Sequence, residues 1–239
     1  MDIVIPYIKD VLKGEELRYA LRSIERNLTG WRGVHIIYGD YFPDFLENAA
    51  QEPPGGDHPL GAFQYEDTPG RKEYSVYRKL LAACAIPWIT DDFIYWNDDH
   101  FLLAPLDVKD LKPWHNGALS DEIERPHHRR WREAAKNTLV LYPFCLNFDI
   151  HRPIIFNKKA FRAIFEFYQS EVCIKSIYRA AVGLGGYFVD DLNLDPFLKY
   201  GEIRAAIEGK LFASSKTGIT HDYLEVLEEK FPDKSKFEI

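Results

Sequence analysis

"DDFIYWNDDHFLLAPL", residues 91 to 106, is the stretch on which the reading of this chain turns. Phe93, Ile94, Tyr95 and Trp96 favour a strand, and the run stops at Asn97, Asp98 and Asp99 before apolar residues resume at Phe101. Two adjacent carboxylates repel one another, so their place at the end of a hydrophobic strand makes sense beside a cation. Oxygen donors of this kind suit magnesium or manganese, which take one or two carboxylates and complete their shell with water and phosphate oxygens. The competing reading is a β-turn made of good turn residues. If strand geometry persisted, Asn97 and Asp99 would face one side and Asp98 the other, so a turn must decide which carboxylate meets a metal.

Upstream of this stretch, "DIVIPYI" (2–8) reads as a buried first strand, and "GEELRYALRSIERNL" (14–28) places Leu17, Ala20, Leu21, Ile24 and Leu28 at helical spacing. "GVHIIYGD" (33–40) reads as a second strand, which completes a βαβ unit of a mostly parallel α/β sheet. Residues 52–67, with "PPGG" and "HPLG", read as a turn-rich loop, and "KEYSVYRKLLAACAI" (72–86) as a second helix. The acidic triplet therefore falls at the carboxyl end of a later strand, where open α/β sheets place their ligands. Downstream, 158–182 reads as one helix closed by "GLGG", whose glycines suit a helix C-cap better than a phosphate loop. The chain ends as a helix and tail, "EVLEEKFPDKSKFEI".

Composition limits the possibilities. With 239 residues, 46% hydrophobic and 28% charged, the chain is expected to form one domain, 1–239. A net charge of −7 argues against a surface that grips nucleic acid everywhere but allows a local basic patch. No apolar run approaches the roughly 20 residues of a membrane span. The first residues read as a strand rather than a signal peptide, so a cytoplasmic protein is expected. Cys84, Cys145 and Cys173 are odd in number and sit in apolar or helical context, which predicts buried free thiols.

"GEELRYALRSIERNLTGWRGVHIIYGD" (14–40) followed by "FIYWNDDHFLLAPLD" (93–107) resembles the first part of the Stealth family of sugar-phosphate transferases. "FDIHRPIIFNKKAF" (148–161) is similar to that family's histidine-containing third block. "SSKTGIT" (214–220) and "LEEKFPDKSKFE" (227–238) resemble its fourth block and its closing Phe-Pro, Ser, Phe-Glu signature. The order is kept over nearly the whole chain. Two elements differ: the opening strand lacks the family's Trp-Val-Asp, and "KTGIT" stands where an Asn-Asp pair is usual.

The resemblance implies a GT-A-like fold with a helical C-terminal part. Residues 1–106 would form a nucleotide-sugar-binding half and 107–239 the acceptor side. It implies a nucleotide-diphosphate-sugar donor with Mn2+ or Mg2+ on Asp98 and Asp99, and Asn97 and Asp98 beside the donor diphosphate. His151 and Arg152 become candidates for the reacting centre: a histidine moves an acceptor proton near neutral pH, and arginine's planar fork suits diphosphate oxygens.

Further candidates come from the residues themselves. Arg18 and Arg22 share one helical face, and they and Lys79, with Tyr77 and Arg78 beside it, could reach the donor, although packing and solvated helix faces account for them equally. Asp191, in "GYFVDDLNLDPF" with Asp190, reads as a catalytic base or as the N-cap of a following helix. By the GT-A resemblance, in which a late histidine often completes the metal shell, His221 in "THDY" is a candidate third metal ligand, against the plainer reading of a surface histidine. "RPHHRRWREAAKN" (125–137) gathers Arg125, Arg129, Arg130 and Arg132 around His127, His128 and Trp131. Such a patch serves phosphate contact with base stacking, or an anionic glycan, so the acceptor is a glycan or a hydroxylated base in DNA. A solvated basic helix start, or a binding module without activity, are the plainer alternatives.

Overall fold

A computed structural model describes residues 1–9, 14–46, 60–124, 129–183, 185–216 and 218–239. Elements are numbered in chain order. A central sheet has the order β4 (Leu60–Gln64), β3 (Val34–Tyr38), β1 (Asp2–Tyr7), β5 (Asp92–Tyr95) and β9 (Ile154–Asn157). The first four strands run parallel and β9 lies antiparallel to β5, so the expected mostly parallel α/β sheet is present. Short pairs join around it: β2 (Leu28–Thr29) with β7 (Leu106–Asp107), and β8 (Trp114–His115) with β10 (Tyr187–Phe188). β12 (Phe212–Ser215) lies between β6 (Phe101–Leu102) and β11 (Asn193–Leu194). The helices are α1 (Glu15–Asn27), α2 (Lys72–Ala85), α3 (Leu119–Ile123), α4 (Arg129–Leu141), α5 (Lys158–Phe165), α6 (Ile174–Val182), α7 (Tyr200–Ile207) and α8 (His221–Lys230).

The strand period of two divides the core. Ile3 and Ile5 of β1 join Leu17, Leu21 and Ile24 of α1 on one face. Val4 points the other way, into a cluster with Tyr77 and Leu80 of α2, Phe93, Tyr95, Phe156 and Phe161. All six residues of β1 are buried, as expected of a strand covered on both faces. A third cluster packs α7 and α8 through Ile203, Tyr223 and Leu227 onto Phe101 and Leu103, just beyond the acidic triplet.

Two element readings are corrected. Within the supposed loop 52–67, Leu60–Gln64 is the parallel edge strand β4, in register with Val34–Tyr38; residues 52–59 lie outside the described residues. The single helix over 158–182 is two, because the chain leaves the helix after Phe165 and returns at Ile174. Between them the Cys173 amide donates to Thr138 Oγ1 at 2.8 Å and the Glu171 carboxylate accepts from the Tyr74 amide at 2.9 Å, contacts a continuous helix would forfeit. Gly183 ends α6 with φ 68°, the left-handed cap expected of "GLGG". All three cysteines are buried and free. Among the described residues no helix is long and apolar enough to cross a membrane.

Candidate active site

The chain crosses from β1 to β3 and β4 on one side and then to β5 on the other, so the order reverses between β1 and β5. The crevice at their carboxyl ends is the place such sheets offer to ligands. β5 ends there at Tyr95, followed by Trp96, and His100 N donates to Asn97 O at 3.3 Å, closing a turn over Asn97–His100. The triplet is a turn, as the competing reading has it, and the turn sets Asp98 and Asp99 at the crevice. Trp96 Nε1 fixes the turn by donating to His100 O at 2.9 Å. The "SSKTGIT" block reaches the same place, where Ser214 Oγ donates to Asp99 Oδ2 at 3.1 Å.

Asp99 Oδ1 and Asn97 Oδ1 are buried without a hydrogen-bond partner among the described residues. Buried oxygens normally find partners, so these two keep unused acceptor capacity. With Asp98 beside them they form a hard oxygen set, which fits magnesium or manganese. Among the described residues no three His, Cys, Asp or Glu side chains converge on one metal position. Lys72, at the start of α2, is exposed yet hemmed in. Burial works against its charge, but Asp98, Asp99, Glu73 and Glu16 more than offset this and raise its pKa.

The third block closes the other side of the crevice. Asp191 Oδ2 accepts from both the backbone amide and Nδ1 of His151, each at 2.9 Å. Burial disfavours the imidazolium, but the Asp191 hydrogen bond and the charge of Asp99 outweigh it, and the pKa of His151 is raised. Burial likewise disfavours the Asp191 carboxylate, and the same hydrogen bond lowers its pKa. The two shifts describe one ion pair. Arg152 is buried, its Nε 4.0 Å from Asp191 Oδ1 and its guanidinium 5.2 Å from the Trp114 ring and 5.3 Å from Phe212. His151, Arg152 and Asp191 thus meet, and the N-cap reading of Asp191 is corrected, since its carboxylate holds the histidine.

His100 links the two sides. It is fully buried, with Nε2 3.8 Å from Asp99 Oδ1 and its ring edge-on to His151 at 6.0 Å. Burial first, then the charges of Lys175, His151 and Arg152, push its pKa well down, so it is neutral.

Other sequence candidates lie elsewhere. Arg18 and Arg22 do not face phosphates: Arg22 Nε and Nη2 grip the Glu238 carboxylate, each at 2.7 Å, and Arg18 Nη1 joins at 3.0 Å. Arg22 also donates to Phe231 O, and the Ser235 amide and hydroxyl donate to Glu238, so the closing signature is a clasp on α1. Lys79 is fully buried, with Nζ 2.7 Å from Tyr7 O and 2.6 Å from Asp67 Oδ1, and has no reach left for a donor. Gly39 admits this arrangement, because a Cβ there would lie 1.9 Å from Asp67 Oδ2. Tyr77 is buried, its hydroxyl donating to Tyr168 O, and Arg78 binds the Tyr65 hydroxyl.

His221 is exposed and pairs with Glu225 at 3.3 Å, a surface contact that takes it out of the proposed ligand set. Arg129 pairs with Glu133 at 3.0 Å, Arg130 is exposed, and Trp131 packs in part on the cluster of Leu119, Ala134 and Ala135. Arg125, His127 and His128 lie outside the described residues. Ser214 and His100 lie inside the blocks that carry the resemblance without being named as site residues, whereas Lys72 and Lys175 sit in helical runs with no distinguishing pattern.

No protein-family model matches the chain. Two solved structures share its arrangement. The galactosyltransferase LgtC in complex with donor and acceptor sugar analogues is 13% identical, covers 98% of this chain and 96% of its own, and gives a TM-score of 0.53. An active-site mutant of LgtC is 12% identical over 96% of this chain and 95% of its own, with a TM-score of 0.51. The likeness shows the fold, the GT-A arrangement of a parallel-rich sheet flanked by helices.

Proposed function

We propose that the protein is a glycosyltransferase that takes a nucleotide-sugar donor at the carboxyl ends of β1 and β5 and passes its glycosyl group to a hydroxyl acceptor. One observation carries the reading: oxygens of Asp99 and Asn97 without partners among the described residues face the hydrogen-bonded His151–Asp191 pair across the crevice of a GT-A fold. The likeness to LgtC supports it, since that protein was solved with donor and acceptor sugar analogues.

Asp98, Asp99 and Asn97 would hold a divalent cation, Mn2+ or Mg2+, whose charge stabilises the leaving diphosphate. Lys72 adds a cation of the protein's own at the same end of the crevice. Asp191 fixes the imidazole of His151 by its Nδ1 proton and leaves Nε2, 3.5 Å from Asn193 Nδ2, to face the acceptor hydroxyl. A histidine so oriented exchanges a proton with that hydroxyl as the glycosidic bond forms. Arg152, buried on Trp114 and Phe212, keeps positive charge beside Asp191. The donor half, 1–106, and the acceptor side, 107–239, meet at this crevice. The Stealth-like blocks leave transfer of a glycosyl phosphate as the finer alternative, because Asp191 and His151 serve either attack.

A glycan is the acceptor this reading favours. The likeness to LgtC, solved with an acceptor sugar analogue, supports it.

The test is release of nucleotide diphosphate from a panel of nucleotide sugars with Mn2+ present. Wild type is expected to hydrolyse or transfer one donor, and His151→Ala to lose about 10²-fold in rate while remaining folded. Turnover unaffected by His151→Ala would remove His151 from the chemistry.

A further inference from the structure

Lys175 lies in the first turn of α6 and is 3% exposed. Its ammonium finds no carboxylate within ion-pairing distance among the described residues. It donates instead to Ile150 O at 2.6 Å and Arg152 O at 2.8 Å, the carbonyls on either side of His151. Its remaining neighbour is the ring of Tyr95, 5.3 Å away, at the end of the strand that leads into the acidic triplet.

The same helix turn grips the preceding residues. Asp149 accepts from the Lys175 and Ser176 amides at 3.0 and 2.8 Å and from Ser176 Oγ at 2.6 Å, and the Phe148 amide donates to Ser176 Oγ at 3.0 Å. These bonds already seat residues 148 and 149 on α6. A buried ammonium is a costly way to add to that, because an apolar side chain of the same length would fill the space without desolvating a charge. What the lysine adds is specific to the next three residues, 150–152. Charge-assisted bonds are shorter and stronger than neutral ones, and two of them here bracket a single residue.

We propose that Lys175 is a positioning residue that clamps the two carbonyls flanking His151 and so fixes the imidazole against Asp191. The proposal rests on the reading of His151 as the reacting centre, but its geometry is independent of which donor is used. Lys175 also brings positive charge toward Asp191, Asp99 and Asp149, and burial is the main influence on it. His151 and His100 both feel it in return.

Proton NMR of the folded protein gives a readout that a merely structural role would not move. The Nδ1 proton of His151, held by Asp191, is expected as a downfield resonance, assigned by its loss in His151→Ala. In Lys175→Met that resonance should disappear or move upfield, with kcat reduced by about 10²-fold and the donor KM unchanged. A folded Lys175→Met with the resonance and kcat of wild type would overturn the proposal. Ser176→Ala loosens the helix contact but leaves the ammonium in place, so an equal loss there would assign the effect to helix docking and overturn it too. Lys175→Arg keeps the cation with a different reach and decides the matter if Lys175→Met does not fold. A displaced resonance with reduced kcat supports the clamp, and wild-type values in both refute it. A wild type that turns over no donor would sink the glycosyltransferase reading, while the resonance in the Lys175 variants would still test the clamp.

Discussion

At the scale of single residues, the site depends on charges that are unstable alone and stable together. Asp191 raises the pKa of His151, and His151 and Arg152 in turn lower that of Asp191. Lys175 is the exception, since burial lowers its pKa from 10.5 to about 8 and no carboxylate contact restores it. The sign of its linkage to stability follows. Between about 8 and 10.5 the unfolded chain binds the proton that the folded chain has released, so this group's contribution to stability rises with pH across that window and is lost as pH falls through about 8. Activity should run the other way, falling as pH rises through about 8, because a neutral amine weakens its hold on the carbonyls beside His151. A pH profile of kcat set beside chemical denaturation at the same pH values checks this, and activity and stability falling together above that pH would contradict it. The residues that make these pairs were partly legible beforehand. His151, Arg152 and Asp191 stood out as chemistry-bearing types, whereas Lys175 sat inside a helical run where lysine has no distinguishing pattern.

At the scale of elements, motifs proved to be contacts between segments far apart in the chain. The closing Phe231, Ser235 and Glu238 signature holds α1 through Arg22 and Arg18, and its carboxylate side chain is fully buried. Helical spacing put those two arginines on one face, but spacing does not say which anion that face will meet, and a carboxylate some 200 residues away was as available as a phosphate. Arg22→Ala would leave Glu238 buried without its bidentate partner. It should cost about 3 kcal/mol in urea denaturation, the scale for breaking a buried pair, and leave donor affinity unchanged. Weakened donor binding with unchanged stability would return Arg22 to the donor site. The strand β4 escaped notice because its register on β3 comes from pairing at long range, and "LGAFQ" has no alternation to announce it. The break after Phe165 escaped for a similar reason, since the apolar spacing of 158–182 continues through residues that the tertiary contacts of Cys173 and Glu171 pull out of the helix.

At the scale of the whole molecule, the two ends of the sheet treat charge differently. At the amino end Asp2 is closed off, its carboxylate bonded by Arg32 and by the Thr90 amide, with His35 3.6 Å away. That network holds the Asp2 carboxylate on the protein's own donors. At the carboxyl end Asn97 and Asp99 keep oxygens without partners among the described residues, and the charges of Lys72 and His151 act on the acidic triplet. The parallel α/β sheet and the place of the triplet at the carboxyl end of a later strand were readable from the βαβ pattern, whereas the strand order was not, since β4 and β9 were not read as strands. The closure of that crevice by β12 and the 148–152 segment was not, because it depends on packing between distant segments. The central claim is that this end of the sheet binds a nucleotide-sugar diphosphate through a cation on Asp98 and Asp99. The measurement that tests it most directly is a thermal-shift screen of nucleotide-diphosphate sugars with and without Mn2+, on wild type and on the Asp98→Ala, Asp99→Ala double variant. The account predicts a stabilising shift with one nucleotide class that requires the metal and vanishes in the double variant. A shift that survives the double variant, or none with any donor, would place the site elsewhere and contradict it.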